Sequence, residues 1–166
     1  RTILNQIYHR GPDARGVYTD KFISLGHTRL SIIDINNGSQ PMLSDDKQAI
    51  IVFNGEIYNF KDLKKDLGNC KTNSDTEVLL KYYQTHGIEK TLNDINGMFA
   101  FAIYDKEKNK LFLARDRVGI KPLYYSDYQG ELTFCSEINP IKNFIGVDQL
   151  SIDEMSVSLF FNLFYK

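Results

Sequence analysis

Two runs of almost uninterrupted apolar residues stand out along the chain, Ala49 to Phe53 and Met98 to Asp105. Each is long enough for a strand and too short for a helix. Neither alternates with polar residues, so both are expected to be covered on two faces. Shorter strand signals precede the first run at Gly16 to Tyr18, Phe22 to His27 and Arg29 to Ile35, closed by a turn at Asn36-Asn37-Gly38. Gln40-Pro41-Met42 leads into a second turn at Ser44 to Lys47. After the second run, a charged turn at Asp105 to Lys110 returns the chain into Leu111 to Asp116. Pro122 to Ser126 and Glu131 to Ser136 then make a hairpin around Asp127-Tyr128-Gln129-Gly130.

Helical periodicity is confined to fewer segments. Arg1 to Tyr8 carries Ile3, Leu4, Ile7 and Tyr8 at helical spacing, and His9-Arg10-Gly11-Pro12-Asp13 breaks it. Asn59 is expected to cap a short helix, Phe60 to Leu67, with Gly68 as its stop. The clearest helix is Asn73 to His86. Ser74-Asp75-Thr76-Glu77 fits a capping box, Val78, Leu79, Tyr82 and Tyr83 form one apolar face, and Gly87 ends it. A helical turn follows at Lys90 to Ile95, and Ile138 to Ile145 reads as a short helix. Ser151-x-x-Glu154 is a second capping box and opens a last helix. Strands outnumber helices and come mostly in hairpin order. The pattern predicts an α+β domain of two packed, mainly antiparallel sheets with helices outside.

The first apolar run empties into Asn54-Gly55-Glu56-Ile57-Tyr58-Asn59. Two readings compete there. Asn-Gly between apolar runs is a common hairpin turn. Alternatively, the Asn54 carboxamide and the Gly55 N–H converge on one spot, which is how donors stabilise an oxyanion. Glycine has no Cβ, so another group can come close to its backbone.

Composition narrows the function classes. A hydrophobic content of 42% and a charged content of 25% are those of a soluble globular domain. The 20 basic and 21 acidic residues nearly cancel, and no basic stripe forms, so neither nucleic acid nor a membrane surface is indicated. The apolar runs are too short to span a bilayer. Arg1 opens directly into a helix-like segment rather than a signal peptide, so the start is expected to be a cut inside a longer chain. Cys70 and Cys135 have no metal or redox spacing and are expected to be free thiols in a reducing, cytoplasmic setting. His9, His27 and His86 lack metal-ligand spacing and are expected to be structural hydrogen-bonders; no metal site is expected.

Several polar residues sit at strand ends or helix starts: Arg29, Asn54, Gly55, Glu56 and Asp75. An amino-acid ligand needs a guanidinium for its α-carboxylate, since the planar fork binds carboxylate bidentately. It needs a carboxylate for its α-ammonium. It needs donors for the oxyanion formed when a side-chain amide is attacked. Each residue also has a plainer role. Arg29 fits a surface ion pair, Asp75 fits a helix cap and dipole partner, and Glu56 fits a solvent-facing carboxylate. Arg115-Asp116-Arg117 fits a loop ion-pair cluster.

Taken in order, the motifs are more specific than any one of them. They run His9-Arg10-Gly11-Pro12-Asp13, Gly26-His27-Thr28-Arg29-Leu30-Ser31-Ile32, Gln40-Pro41, Asn54-Gly55-Glu56-Ile57-Tyr58-Asn59 and Ser74-Asp75-Thr76-Glu77. They continue through Gly97-Met98-Phe99-Ala100-Phe101-Ala102, then Ala114 to Tyr124, then Ser136-Glu137-Ile138. From about Ile7 to Ile145 the chain resembles the glutaminase domain of glutamine-hydrolysing asparagine synthetases, a class II glutamine amidotransferase. Pro12 and Asn54 to Asn59 look like that branch rather than the glucosamine-phosphate synthase branch. The resemblance implies the N-terminal-nucleophile hydrolase fold, a four-layer αββα sandwich. It implies that Arg29 holds the glutamine carboxylate, that Asp75 holds the amino group with Glu56 lining the same pocket, and that Asn54 and Gly55 form the oxyanion hole. Ammonia would pass to a synthetase domain that uses ATP and Mg to activate aspartate.

The chain departs from that family at its start. The family's nucleophile is a cysteine at the mature N-terminus, with its own α-amine as base; residue 1 here is Arg. Cys70 and Cys135 match no catalytic motif. The expectation is therefore a glutaminase domain over residues 1–147 lacking its first strand and nucleophile, inactive alone. Residues 148–166 are expected to lead into an absent synthetase domain. The glutaminase domain itself is expected to use no cofactor. The expected partners are glutamine and that synthetase domain, with a homodimer left open. Two other readings stand beside it: an enzyme with a different carboxylate acceptor, such as a sugar acid, and a non-catalytic amidotransferase-like binding module.

Overall fold

In chain order the elements are α1 (Thr2–Gln6), β1 (Ala14–Thr19), β2 (Ser24–Arg29), β3 (Met42–Leu43), β4 (Ala49–Ile57), α2 (Phe60–Leu63), α3 (Asp75–Asp94), β5 (Gly97–Asp105), β6 (Lys110–Arg115), β7 (Tyr124–Tyr128), β8 (Glu131–Cys135), α4 (Ile138–Ile145) and α5 (Glu154–Leu163). The computed structural model describes residues 2–30, 39–146, 148 and 150–163. The expected turn at Asn36-Asn37-Gly38, and most of the strand expected from Arg29 to Ile35, lie outside the described residues.

The two apolar runs pair with each other. β4 and β5 are antiparallel neighbours in a four-stranded sheet of order β3-β4-β5-β6. Alternate residues of a strand face opposite ways, and here both sets are apolar because both faces are covered. Ile51 and Phe53 of β4, with Phe101 and Ile103 of β5, pack under Val78, Leu79, Tyr82 and Tyr83 of α3. Ile50 and Val52, with Ala102 and Tyr104, pack on the opposite side against Leu25 of β2 and Phe134 of β8. A third cluster joins Ile7, Cys135 and Ile141 with Ile3 and Leu4 of α1. The molecule is thus a mixed α/β domain of antiparallel sheets and helices. β1 with β2, and β7 with β8, form two separate hairpins.

Several boundaries differ from the sequence reading. β4 does not stop at Asn-Gly, and no hairpin forms there. Asn54 pairs with Ala100 and Gly55 with Phe99 in an unbroken ladder. The ladder passes because Gly55 has φ +152° and its Cα lies against the Met98 carbonyl and Phe99, where a Cβ would overlap them. β2 likewise runs through Thr28 to Arg29.

Asn59 does not cap α2. Its amide donates to the Asp94 carbonyl (2.9 Å) and accepts from the Asn96 N–H (2.9 Å), tying the end of β4 to the end of α3. α2 closes at Leu63 and continues only as a tight turn at Lys64–Asp66. Half of the expected capping box forms at α3. Ser74 Oγ accepts from Thr76 N–H (3.1 Å), but the Glu77 carboxylate takes the Lys71 and Thr72 N–H groups instead of that of Ser74. Gly87, at φ +79°, breaks α3 as expected, and the helix resumes to Asp94. At α5 the cap is Asp153, which accepts from Met155 N–H, rather than Ser151.

Arg115-Asp116-Arg117 is not an ion-pair cluster either. Asp116 accepts N–H groups from Phe99, Ile120 and Lys121 (3.2, 2.8 and 2.9 Å), while Arg115 donates to the carbonyls of Gly119 and Lys121. A buried carboxylate can be satisfied by backbone donors as well as by a cation. No helix among the described residues is long and apolar enough to cross a membrane.

Candidate active site

One cleft of about 1200 Å³ opens between β2, β4, β8 and the start of α3. Arg29, Asn54, Gly55, Glu56 and Asp75 all line it. Alternation along β4 places Asn54 and Glu56 on the same face as Ile50 and Val52, the face turned toward β2. The apolar part of its lining includes Leu4, Ile23, Val52, Leu132 and Phe134.

Arg29 ends β2 and is buried, at 9% exposure, so it is not a surface ion-pair residue. The His9-to-Asp13 segment does more than break the first helix. Asp13 N–H donates to the Arg29 carbonyl (3.1 Å) and Pro12 bridges Arg29 in parallel. A Cβ on Gly11 would lie 2.5 Å from Arg29 N, so only glycine lets this backing segment sit so close. His9 hydrogen-bonds Glu137 (2.7 Å) as expected of a structural histidine. His86 instead packs its ring on Tyr82 (4.4 Å between centroids), and its buried Nε2 has no partner among the described residues.

Asp75 opens α3 and is 5% exposed. Its Oδ2 accepts from the Ile57 N–H (3.0 Å), so it binds β4 as well as its own helix start. Burial raises its pKa above the ordinary aspartate value, backbone donors oppose this, and the nearby Glu56 carboxylate raises it further. Two neighbouring carboxylates in a partly dry cleft attract a cation.

The outer edge of β4 explains how the pieces fit. Alternate residues of a strand send their N–H and C=O to opposite edges. The odd residues of β4 face the β3 side: the Ala49 carbonyl accepts from Ser44 N–H there. β3 ends after two residues, pairing only with Ile51 and Ile50. Beyond it, side chains replace backbone. The Gln40 carboxamide accepts from Phe53 N–H (2.6 Å) and donates to the Phe53 carbonyl (3.1 Å). His27 Nε2 donates to the same carbonyl (3.0 Å). Two residues on past Gly55, Asp75 takes the Ile57 N–H. The Gly55 N–H leaves the strand on this edge, between those two anchored peptides and facing the cleft. β5 does not claim it, since Phe99 directs its own N–H and carbonyl to Asp116. In the sequence Gln40 stands out only as part of Gln40-Pro41. Nothing local signals that its amide would stand in for a missing strand.

Cys135 lines the apolar part of the cleft, but it is buried against Ile7 and Ile141, and burial pushes its thiol pKa up. Cys70 lies outside the cleft. Both are free thiols, as the sequence indicated. Among the described residues no cluster of His, Cys, Asp or Glu is placed to hold a metal ion.

Comparison with known proteins gives a consistent result. The model of the glutamine amidotransferase domain family matches residues 1–166. Asparagine synthetase (glutamine-hydrolyzing) 2 of Bacillus subtilis is 48% identical over 141 residues, covering 84% of this chain and 19% of that protein. Asparagine synthetase B (glutamine-hydrolyzing) of Escherichia coli is 44% identical over 137 residues, covering 80% and 24%. The asparagine synthetase (glutamine-hydrolyzing) of Brassica oleracea is 40% identical over 139 residues, covering 82% and 24%. The chain spans only about a fifth to a quarter of the length of these curated relatives.

Proposed function

Because this chain belongs to the glutamine amidotransferase domain family, we propose that it is the glutamine-hydrolysing part of an asparagine-synthetase-like enzyme. Arg29 takes the α-carboxylate of glutamine through its guanidinium fork. Asp75 and Glu56 take the α-ammonium. The side-chain amide then reaches the Asn54 carboxamide and the Gly55 N–H, which stabilise the oxyanion when the amide carbon is attacked. The observation that carries this reading is the edge of β4, where the Gly55 N–H, without a partner among the described residues, stands between two peptides fixed by Gln40 and Asp75.

The attacking group in this reading is a cysteine thiol from a segment outside the described residues, with its α-amine as base. Attack forms the tetrahedral oxyanion, ammonia leaves, and a thioester remains that water cleaves to glutamate. Among the described residues the only strand that pairs with β2 is β1 and the only strand that pairs with β8 is β7, and the cleft between them exceeds the space a small amino acid fills. That supports a strand lying between them, which would complete a four-layer αββα sandwich of the N-terminal-nucleophile type. Cys135 is a poor substitute because burial disfavours its thiolate.

The names of the relatives, and the small share of their length that this chain covers, support a following synthetase domain that spends the ammonia on aspartate. Residues 148–166 would lead into it. ATP and Mg would supply carboxylate activation in that domain and have no role in this one. A cytoplasmic location accords with this reading. The test is glutamate release from glutamine. The full-length protein should turn over, and residues 1–166 alone should bind glutamine weakly and stay silent. Clear turnover by residues 1–166 would remove the external nucleophile from the account.

A further inference from the structure

We infer that Gln40 and His27 are positioning residues for the oxyanion donors, acting through the Phe53 peptide; this rests on the glutaminase reading. β3 is too short to support β4 beyond Ile51. An unsupported strand edge is mobile and prone to wrong pairing. The donors argued above, Asn54 and Gly55, begin three residues after that support ends, directly after Phe53.

Gln40 closes the gap as a peptide would. One carboxamide supplies both an acceptor and a donor, at 2.6 and 3.1 Å, to both polar groups of Phe53. His27, from β2, adds a second donor to the Phe53 carbonyl at 3.0 Å, using the other lone pair of that oxygen. Since Nε2 faces a carbonyl, it carries the proton, and Nδ1 is a buried atom without a partner among the described residues. Burial keeps the ring neutral, Arg29 helps by repulsion, and the Phe53 carbonyl opposes both. The ring therefore serves as a fixed neutral donor.

Gln40 is itself seated from β1. A Cβ on Gly16 would overlap the Gln40 carbonyl and approach Pro41. The route runs from Gly16 through the Gln40 backbone and side chain to the Phe53 peptide, and so to Asn54 and Gly55. Among the described residues the Gln40 carboxamide directs both of its hydrogen bonds to the Phe53 peptide. Displacing Gln40 should misplace the oxyanion donors and leave the groups that hold the ends of the substrate where they are.

The experiment uses the full-length protein with its natural N-terminus and the variants Gln40→Ala, Gln40→Glu, His27→Gln and Gly16→Ala. It reads steady-state glutamine hydrolysis, thermal midpoint, and hydrogen exchange over the β4 segment. Gln40→Ala should lower kcat by roughly 100-fold, the scale of a small displacement of catalytic groups, with KM within about twofold. It should speed exchange in β4 and leave α3 unchanged. Gln40→Glu keeps the acceptor for Phe53 N–H but not the donor, so it should retain the exchange protection and lose less activity. His27→Gln keeps an amide donor near the Phe53 carbonyl and should keep most of kcat. Gly16→Ala should reproduce the split of Gln40→Ala. A rise in KM with kcat intact, or unchanged kcat in a folded Gln40→Ala protein, overturns the inference. Should Gln40→Ala not fold, the kcat of the near-isosteric Gln40→Glu decides in its place. Silence of the unsubstituted protein toward glutamine would remove the glutaminase reading instead, and exchange in β4 would still decide whether Gln40 holds the strand.

Discussion

β4 is one strand with two halves that are held differently. Ala49 to Phe53 is buried throughout, whereas Asn54, Gly55 and Glu56 are only half-buried before Ile57 is buried again. Up to Ile51 the outer edge pairs with β3 backbone; from Phe53 onward it is held by the side chains of Gln40, His27 and Asp75. The first half is core, and its stability comes from apolar area. The second half gives up apolar burial and, on its outer edge, regular strand pairing, and leaves the Gly55 N–H without a partner among the described residues. A site can thus sit inside a regular strand, provided side chains take over where strand pairing stops.

The comparison can be broken from either side. The largest effect is expected in the first half. Ile51→Ala, at a position with no exposed surface, should cost about 2–5 kcal/mol of folding stability, read by denaturant unfolding. The protein that remains folded should keep its kcat. Next comes the second half. Asn54→Ala should slow glutamine hydrolysis by roughly 100- to 1000-fold, about 2.7–4 kcal/mol, with a thermal midpoint close to that of the unsubstituted protein. A stability loss like that of Ile51→Ala would mean that the two halves are not distinct.

Arg29→Ala should act mainly on binding, raising KM by roughly 10- to 100-fold, the scale of charged hydrogen bonds. The backing from Gly11 to Asp13 contacts Arg29 through its main chain, so the fold should survive.

The smallest effect is one of pH. The raised pKa of Asp75 means that it takes up a proton at a higher pH than an ordinary aspartate. A protonated Asp75 cannot pair with an ammonium, so KM should begin to rise at that higher pH as acid is added. Asp75→Asn should raise KM at neutral pH and flatten that rise. The stability sign is opposite: the native state binds the proton more tightly, so ionised Asp75 costs stability above its folded pKa. That cost fades as pH falls toward the unfolded value.

Much of the fold could be read from the chain, for identifiable reasons. Ile138 to Ile145 and the break at Gly87 follow from local periodicity and turn chemistry and appear where expected; the β7–β8 hairpin also forms, but β7 runs on to Tyr128 and the turn narrows to Gln129-Gly130. The misses occur where a tertiary partner overrides a local signal. Asn54-Gly55 carries a hairpin signature, but β5 pairs straight past it because Met98 and Phe99 press on a glycine. Asn59 fits a cap, but the end of α3 captures its amide. Arg115 to Arg117 fits an ion-pair cluster, but the nearest partners are backbone groups. In the site, Arg29, Asn54, Gly55, Glu56 and Asp75 were legible as chemistry, and the structure places all five on one cleft. Gln40 was not, because its importance depends on where β3 stops, and no residue near Gln40 encodes that.

The most direct measurement is glutamate release by the full-length protein beside its Asn54→Ala variant, with kcat and KM separated. The account predicts turnover by the unsubstituted protein, and in the variant a loss of 100-fold or more in kcat at nearly constant KM. Equal rates in the two would contradict the assignment of the β4 edge as the oxyanion site. No turnover by either would contradict the glutaminase itself.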